Sequence, residues 1–220
     1  MNIEKKMTHI WIGPKPAPTK WMNTWKDMNP DWEYSVFTDE MMKSRTWINQ
    51  HLIDRYYNAG CYAGAHDVIR YELIYERGGF WPSADSICLE PIDELFNSPP
   101  NHAYTVYENE KAKPGYTSPI LAANPDNEVL KIIINTLHKL PSKYLNVSHP
   151  YLFTGNHFLS ELWKQIPDIE NKLTRWPSYT LIPQWYANGS PRYNGPGKVY
   201  AEQYWGSTGF KWLKKYSDGV

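Results

Sequence analysis

The sequence predicts an α/β fold with a mainly parallel central sheet flanked by helices, and three observations carry that prediction. Short apolar strands alternate with amphipathic segments along the chain. Residues 63–91, AGAHDVIRYELIYERGGFWPSADSICLEP, read as a helix that stops at Gly78-Gly79 and runs into an aromatic strand. An acid, Asp85, follows that strand, at the place where open α/β sheets present ligand-binding residues.

Thr8 to Gly13, THIWIG, reads as a first buried strand, ended by Gly13-Pro14 and the turn PKPAP. Trp21, Met22, Trp25 and Met28 share helical spacing, and Asn29-Pro30 stops that helix. Trp32 to Phe37 alternates as a second strand, with Thr38-Asp39 opening the next turn or helix. Ala65, Ile69, Leu73 and Glu76 recur at helical spacing from Ala63 to Arg77, and two glycines give that helix its exit. Phe80-Trp81 is a strand that Pro82 ends, and Ile87 to Leu89 is a further strand, expected to run antiparallel in the sheet. Strands are expected at Ala103 to Tyr107 and Ile120 to Ala123. Asn124 or Asp126 is positioned to cap the helix Glu128 to Leu140, whose apolar residues are Val129, Leu130, Ile133, Ile134 and Leu137. Phe158 to Gln165 is another helix, and residues 174–200 read as loops with short strands.

Lys plus Arg and Asp plus Glu number 23 each, so no global field draws the chain to nucleic acid or an anionic surface. No run in the sequence is apolar and long enough for a membrane span or a signal peptide. Cys61 and Cys88 suit a reduced compartment, with one disulfide left open. The expectation is a single cytoplasmic domain over residues 1–220. Eleven Trp and seventeen Tyr are unusual; a Trp-rich core explains most, and stacking on a sugar or base is the functional alternative for a few.

Asp67 and Arg70 are three apart and share a helix face, where they form either a ligand grip or a surface salt bridge. Asp85, in Ser83-Ala84-Asp85, is either a turn former or a carboxylate for a hard divalent cation. Trp11, at the end of the first strand, stacks on a base or on the core. Gln203-Tyr204-Trp205 with Ser207 either closes over a diphosphate or packs as a tail. The aromatic segment Trp176 to Tyr193 lines an acceptor groove or covers a loop cluster, and His66 reads as a helix-surface residue. No zinc spacing, phosphate loop or serine elbow is present.

THIWIG, NPDWEYSVFTDE, the run AGAHDVIRYELIYERGGFWPSADSICLEPIDEL and the tail QYWGST together resemble the DxD-containing sugar transferases grouped as glycosyltransferase family 32. That family includes capsular polysaccharide and yeast mannosyl transferases, and its core is related to the clostridial glucosylating toxins. The resemblance covers residues 8–97 strongly and the C-terminal third loosely. It implies a GT-A type, Rossmann-like domain that moves a hexose or deoxyhexose from a UDP- or GDP-sugar to a glycan hydroxyl, with retention and with Mn²⁺ or Mg²⁺. It implies that Asp67 and Arg70 contact ribose and donor sugar, that Asp85 is the metal ligand, and that Trp11 stacks on the base. Ser83 and Ala84 would line the donor site, with Trp205 and Ser207 near the diphosphate. Asp85, Arg70 and Asp67 are thereby the candidate catalytic residues. Three positions depart from the family pattern: Ser83 replaces the first acid of D-x-D, Gln203 or Tyr204 replaces a histidine, and His66 stands where serine is usual. A carbohydrate-binding module, a degenerate transferase and a nucleotide-sugar hydrolase are the alternatives. A bacterial or virus-infected host cytoplasm is the expected setting.

Overall fold

The computed structural model describes residues 3–187, 190–205 and 218–220. Strand β1 (Lys6–Ile10) leads to helix α1 (Thr19–Met28), strand β2 (Glu33–Phe37) and the short helix α2 (Asp39–Lys43). Helices α3 (Gln50–Asn58) and α4 (Tyr62–Arg77) precede β3 (Gly79–Phe80), β4 (Ser86–Cys88), β5 (Ala103–Val106) and β6 (Ala122–Ala123). Then come α5 (Glu128–His138), α6 (Asn156–Trp163), β7 (Leu173–Trp176) and β8 (Ala201–Gln203), joined by loops and single 3₁₀ turns.

Six strands form the main sheet in the order β2-β1-β3-β6-β5-β7. β1 is parallel to β2 and β3, and β5 is parallel to β7. Only β6 runs against its neighbours β3 and β5. The mainly parallel sheet is therefore as expected, but the antiparallel member is not the segment around Ile87. That segment, β4, leaves the main sheet and pairs antiparallel with β8, Ser86 opposite Gln203. An apolar run predicts a strand and not its partner, and here the partner lies near the C-terminus.

Alternate residues of the strands point to opposite faces, and both faces are covered, as a parallel sheet requires. Ile10, Trp81, Ala103, Ala123 and Leu173 meet α3, α4, α5 and α6 in one cluster. Met7, Phe80, Tyr104, Ala122 and Trp176 meet Trp25 of α1 and Phe96 in the other. Among the described residues seven tryptophans are buried, Trp21, Trp25, Trp32, Trp47, Trp81, Trp163 and Trp176, so the core reading holds for most of them. Each such side chain contributes roughly 1.5–3 kcal/mol through burial.

The double glycine has a steric cause. Gly78 and Gly79 both have positive φ, 65° and 83°, and a Cβ on Gly79 would lie 2.6 Å from the Lys6 carbonyl of the neighbouring strand. Helix α4 is tied down on its far side by Glu72, 4% exposed, whose carboxylate accepts the Ile48 and Asn49 backbone N–H groups at 2.8 Å and the Asn49 amide at 3.1 Å. Helix α5 begins one residue after its cap, which is Asn127 and neither Asn124 nor Asp126: the Asn127 side chain accepts from the Val129 and Leu130 N–H groups. Asp126 sits at φ 58°, in the left-handed region, and is committed to the turn before the cap. Cys61 and Cys88 are free thiols.

Candidate active site

β3 and β5 are both parallel to β1, since two antiparallel steps through β6 restore direction. The residues just past these three strands therefore emerge on one edge of the sheet: Trp11 after β1, Ser83 to Asp85 after β3, and Glu108 after β5. This carboxyl-end edge is where α/β sheets bind ligands. Helix α4 feeds β3 and reaches the same edge with its first nine residues, which include His66, Asp67 and Arg70.

Asp85 is held by two donors. The Ser83 hydroxyl and the Gln203 amide each donate to its Oδ1 at 2.6 Å, and its backbone carbonyl accepts the Tyr204 N–H at 2.8 Å. The β4–β8 pair that brings Gln203 to Asp85 is the same pair that removed β4 from the main sheet. Ala84 is buried and contributes only backbone to the turn. Ser83 is therefore an orienting hydroxyl rather than a lost ligand position alone: it aligns the carboxylate that remains.

Arg70 is only 5% exposed, so the surface salt bridge with Asp67 is not what forms. Its Nη2 lies 3.3 and 3.2 Å from the two ring nitrogens of His66, near-equal distances that describe a guanidinium packed on the imidazole. Its Nε is buried without a hydrogen-bond partner among the described residues. Burial pulls the Arg70 pKa down, and the Asp67 and Asp85 carboxylates nearby oppose that shift. His66 is correspondingly not a plain helix-surface residue: burial and Arg70 lower its pKa, against Asp67 and Asp85, and favour the neutral ring. Behind them, burial first and then Arg70 hold His9 down to about 3, so it stays neutral.

Asp67 is half-buried and faces the 150–156 segment, whose Thr154 hydroxyl donates to Oδ2 at 3.3 Å. Gly155 passes so close that a Cβ there would lie 3.3 Å from the same oxygen. Tyr71 fixes this segment from below, its hydroxyl donating to the Thr154 carbonyl at 2.7 Å. Trp11 is half-buried, with its indole N–H donated to the Lys15 carbonyl at 2.7 Å, which fixes the ring at the mouth of the edge. Trp205 has φ 53° and packs edge-on to Tyr186 with ring centres 5.3 Å apart. Ser207 lies outside the described residues. Of the Trp176 to Tyr193 segment, Trp176 is core and Tyr179 stacks on Tyr193 at 4.2 Å, the loop-covering arrangement, while Tyr186 turns to Trp205.

Residues 18–105 match the family model of the glycosyltransferase sugar-binding region containing the DXD motif. Over that stretch the chain is similar to the DXD-containing glycosyltransferases. Inositol phosphoceramide mannosyltransferase 3 of Schizosaccharomyces pombe is 26% identical over 82% of this chain and 51% of its own length. A mannosyl phosphorylinositol ceramide synthase of Saccharomyces cerevisiae is 26% identical over 73% of this chain and 42% of its own. The chain thus spans about half the length of the curated relatives it matches. The PaToxG glycosyltransferase superposes with a TM-score of 0.60 at 18% identity, over 77% of this chain and 73% of that one, which bears out the GT-A type fold. These relatives correct one expectation. They are named for inositol phosphoceramide, a membrane lipid, so the cytoplasmic setting does not stand. Among the described residues no helix is long and apolar enough to cross a membrane, which by itself places the protein in no compartment.

Only part of this site was legible beforehand. Asp67, Arg70, Ser83 and Asp85 follow from the helix, glycines and strand. Thr154, Gln203 as the clamp on Asp85, and Glu108 carry no local signal, because each acts through a contact distant in sequence.

Proposed function

We propose that residues 1–220 act as one glycosyltransferase domain that moves a hexose from a nucleotide-diphosphate donor to an acceptor hydroxyl, with retention. The observation that most supports this is the buried Arg70 Nε, without a partner among the described residues and within electrostatic reach of the Asp67 and Asp85 carboxylates. A buried donor of that kind loses stability unless a ligand oxygen meets it. Ribose and donor-sugar hydroxyls would take Asp67 and Arg70, and Trp11 would stack on the base. Trp205, with Ser207, would lie against the diphosphate.

Asp85 would hold Mn²⁺ or Mg²⁺. Among the described residues no three His, Cys, Asp or Glu side chains gather as a cage. That donor set fits a hard cation bound by one carboxylate and by donor phosphates, rather than a transition metal held by protein alone. Both side-chain hydrogen bonds to Asp85 land on Oδ1, an arrangement that orients Oδ2 for such a contact. Bound there, the cation would offset diphosphate charge as the sugar leaves. The chain's own contribution is positioning: Ser83 and Gln203 orient Asp85, and Arg70 and Asp67 fix the donor sugar.

The names of the relatives make mannose the first sugar to test, and an inositol-bearing lipid or a glycan the first acceptors. The test is transfer from a panel of UDP- and GDP-sugars with Mn²⁺, comparing wild type with Asp85→Ala. The substitution is expected to lower turnover by about 10²–10³-fold, the scale of losing one electrostatic stabiliser of a leaving group. Equal turnover in the variant would remove Asp85 from the mechanism.

A further inference from the structure

Glu108 stands apart from the residues used so far and shares their edge. It is 9% exposed, it follows β5, and its backbone N–H donates to the Tyr116 carbonyl at 3.1 Å, which fixes the residue in the loop. The Asn156 side chain stands close enough to its carboxyl to favour the charged form. Asn156 begins α6, two residues after the Thr154 that holds Asp67. One short segment, 154–156, thus lies beside both the Asp67 position on α4 and the Glu108 position past β5. A carboxylate can accept about four hydrogen bonds, and among the described residues Glu108 forms no ion pair.

The charged and titratable groups that face it are Lys113 from its own loop, Asp67 from α4 and Tyr186 from the segment that packs on Trp205. The first attracts, the second repels, and neither neutralises it. Burial dominates and pushes the Glu108 carboxyl up to about 7. A buried carboxyl with spare acceptor capacity at a ligand edge marks a binding or catalytic group.

We infer that Glu108, buried at the carboxyl-end edge beside Asn156, is the acceptor-binding carboxylate of this transferase: it accepts hydrogen bonds from hydroxyls of a polyol acceptor beside the donor sugar. The inference rests on the transferase reading and adds to it where the acceptor sits. The residues assigned to the donor, Asp67, Arg70 and Asp85, belong to α4 and the turn after β3, whereas Glu108 follows β5. Glu108 takes no proton in the transfer. The acceptor oxygen bonds to the sugar carbon as the bond from that carbon to the phosphate oxygen breaks. The electron pair and the acceptor proton both go to the departing diphosphate. Tyr186, between Glu108 and Trp205, would cover an apolar face of the acceptor ring.

The test measures KM for donor and acceptor separately in wild type and Glu108→Gln, with methyl α-mannoside and myo-inositol as soluble acceptors, from pH 5.5 to 8.5. The expected result is an acceptor KM raised about tenfold or more in the variant at pH 8, with donor KM moved less than twofold. The wild-type acceptor KM should fall as pH rises through about 7 and the variant's should stay flat, a readout that a packing role for Glu108 would not produce. A melting temperature no lower than wild type verifies that the variant is folded. An unchanged acceptor KM, or donor and acceptor KM rising together, overturns the assignment of Glu108 while leaving the transferase reading in place. Absence of donor turnover in both proteins overturns the transferase reading and the Glu108 assignment with it.

Discussion

Helix α4 and the loops of the C-terminal half supply the same site by different physical means. Asp67 and Arg70 project from a helix whose other flank is core: Val68, Ile69, Leu73 and Ile74 are fully buried, and Glu72 ties it to the start of α3. Glu108, Thr154, Asn156 and Gln203 come from loops, a helix start and a three-residue strand, and of these Thr154 reaches Asp67 and Gln203 reaches Asp85 through a side-chain hydrogen bond. The first arrangement makes position a consequence of the fold. The second leaves position adjustable without unfolding anything, which suits the part of a transferase that distinguishes acceptors.

The comparison is broken if substitutions on the two sides have the same signature. The largest effect is expected from Glu72→Ala, which touches no ligand. It strands two backbone donors and one amide in a buried position, so about 4 kcal/mol of stability should be lost, measured by denaturant unfolding, with donor affinity of the folded protein unchanged.

Glu108→Gln should move stability in the opposite direction. The folded carboxyl is raised from 4.5 to about 7, so the folded state binds the proton more tightly than the unfolded chain does. Its contribution to stability is fully present below about pH 4.5 and is lost as pH rises through about 7. The amide does not titrate, and at pH 8 the variant should therefore be more stable than wild type by about 3 kcal/mol, with the difference vanishing at low pH. A side chain that weakens the fold in its working state and improves acceptor binding is the trade a functional residue makes.

Gln203→Ala is the smallest of the three. It removes a charge-assisted hydrogen bond to Asp85 worth about 2 kcal/mol in orienting that carboxylate, so donor KM should rise roughly tenfold while the melting temperature stays within about 2 °C. A fall in stability comparable to that of Glu72→Ala would show that the β4–β8 pair is part of the core rather than an adjustable clamp.

The difference between the two regions is also the difference in what the sequence discloses. The α4 helix was legible to within one residue because its apolar spacing and its two glycines are local signals. The need for Gly79 comes from the Lys6 carbonyl of β1, yet it leaves a local trace, since no other residue tolerates that backbone. Ile87 to Leu89 was legible as a strand and misplaced, because pairing with β8 is a long-range fact. The cap of α5 was missed by one residue among Asn124, Asp126 and Asn127, three side chains of similar capping strength; the positive φ of Asp126 decides between them, and that angle is not written in the letters. Arg70 read equally well as a surface ion pair until its 5% exposure ruled that out. Glu108 had no pattern to betray it, and Gln203 was legible as part of the tail segment but not as the partner of Asp85. A glutamate opening a loop and a glutamine in a tail acquire meaning only when folding sets one beside Asn156 and the other beside Asp85.

On the proposed reading, the edge formed by Trp11, Arg70 and Asp85 binds a nucleotide diphosphate through a divalent cation. Calorimetric titration of UDP and GDP into the protein tests it directly, with Mn²⁺, with a chelator, and with Asp85→Ala in place of wild type. One nucleotide is expected to bind in Mn²⁺, with affinity that falls at least tenfold with chelator and to the same degree in the variant. Nucleotide binding that ignores both the metal and Asp85, or glycan binding with no nucleotide binding at all, would contradict it.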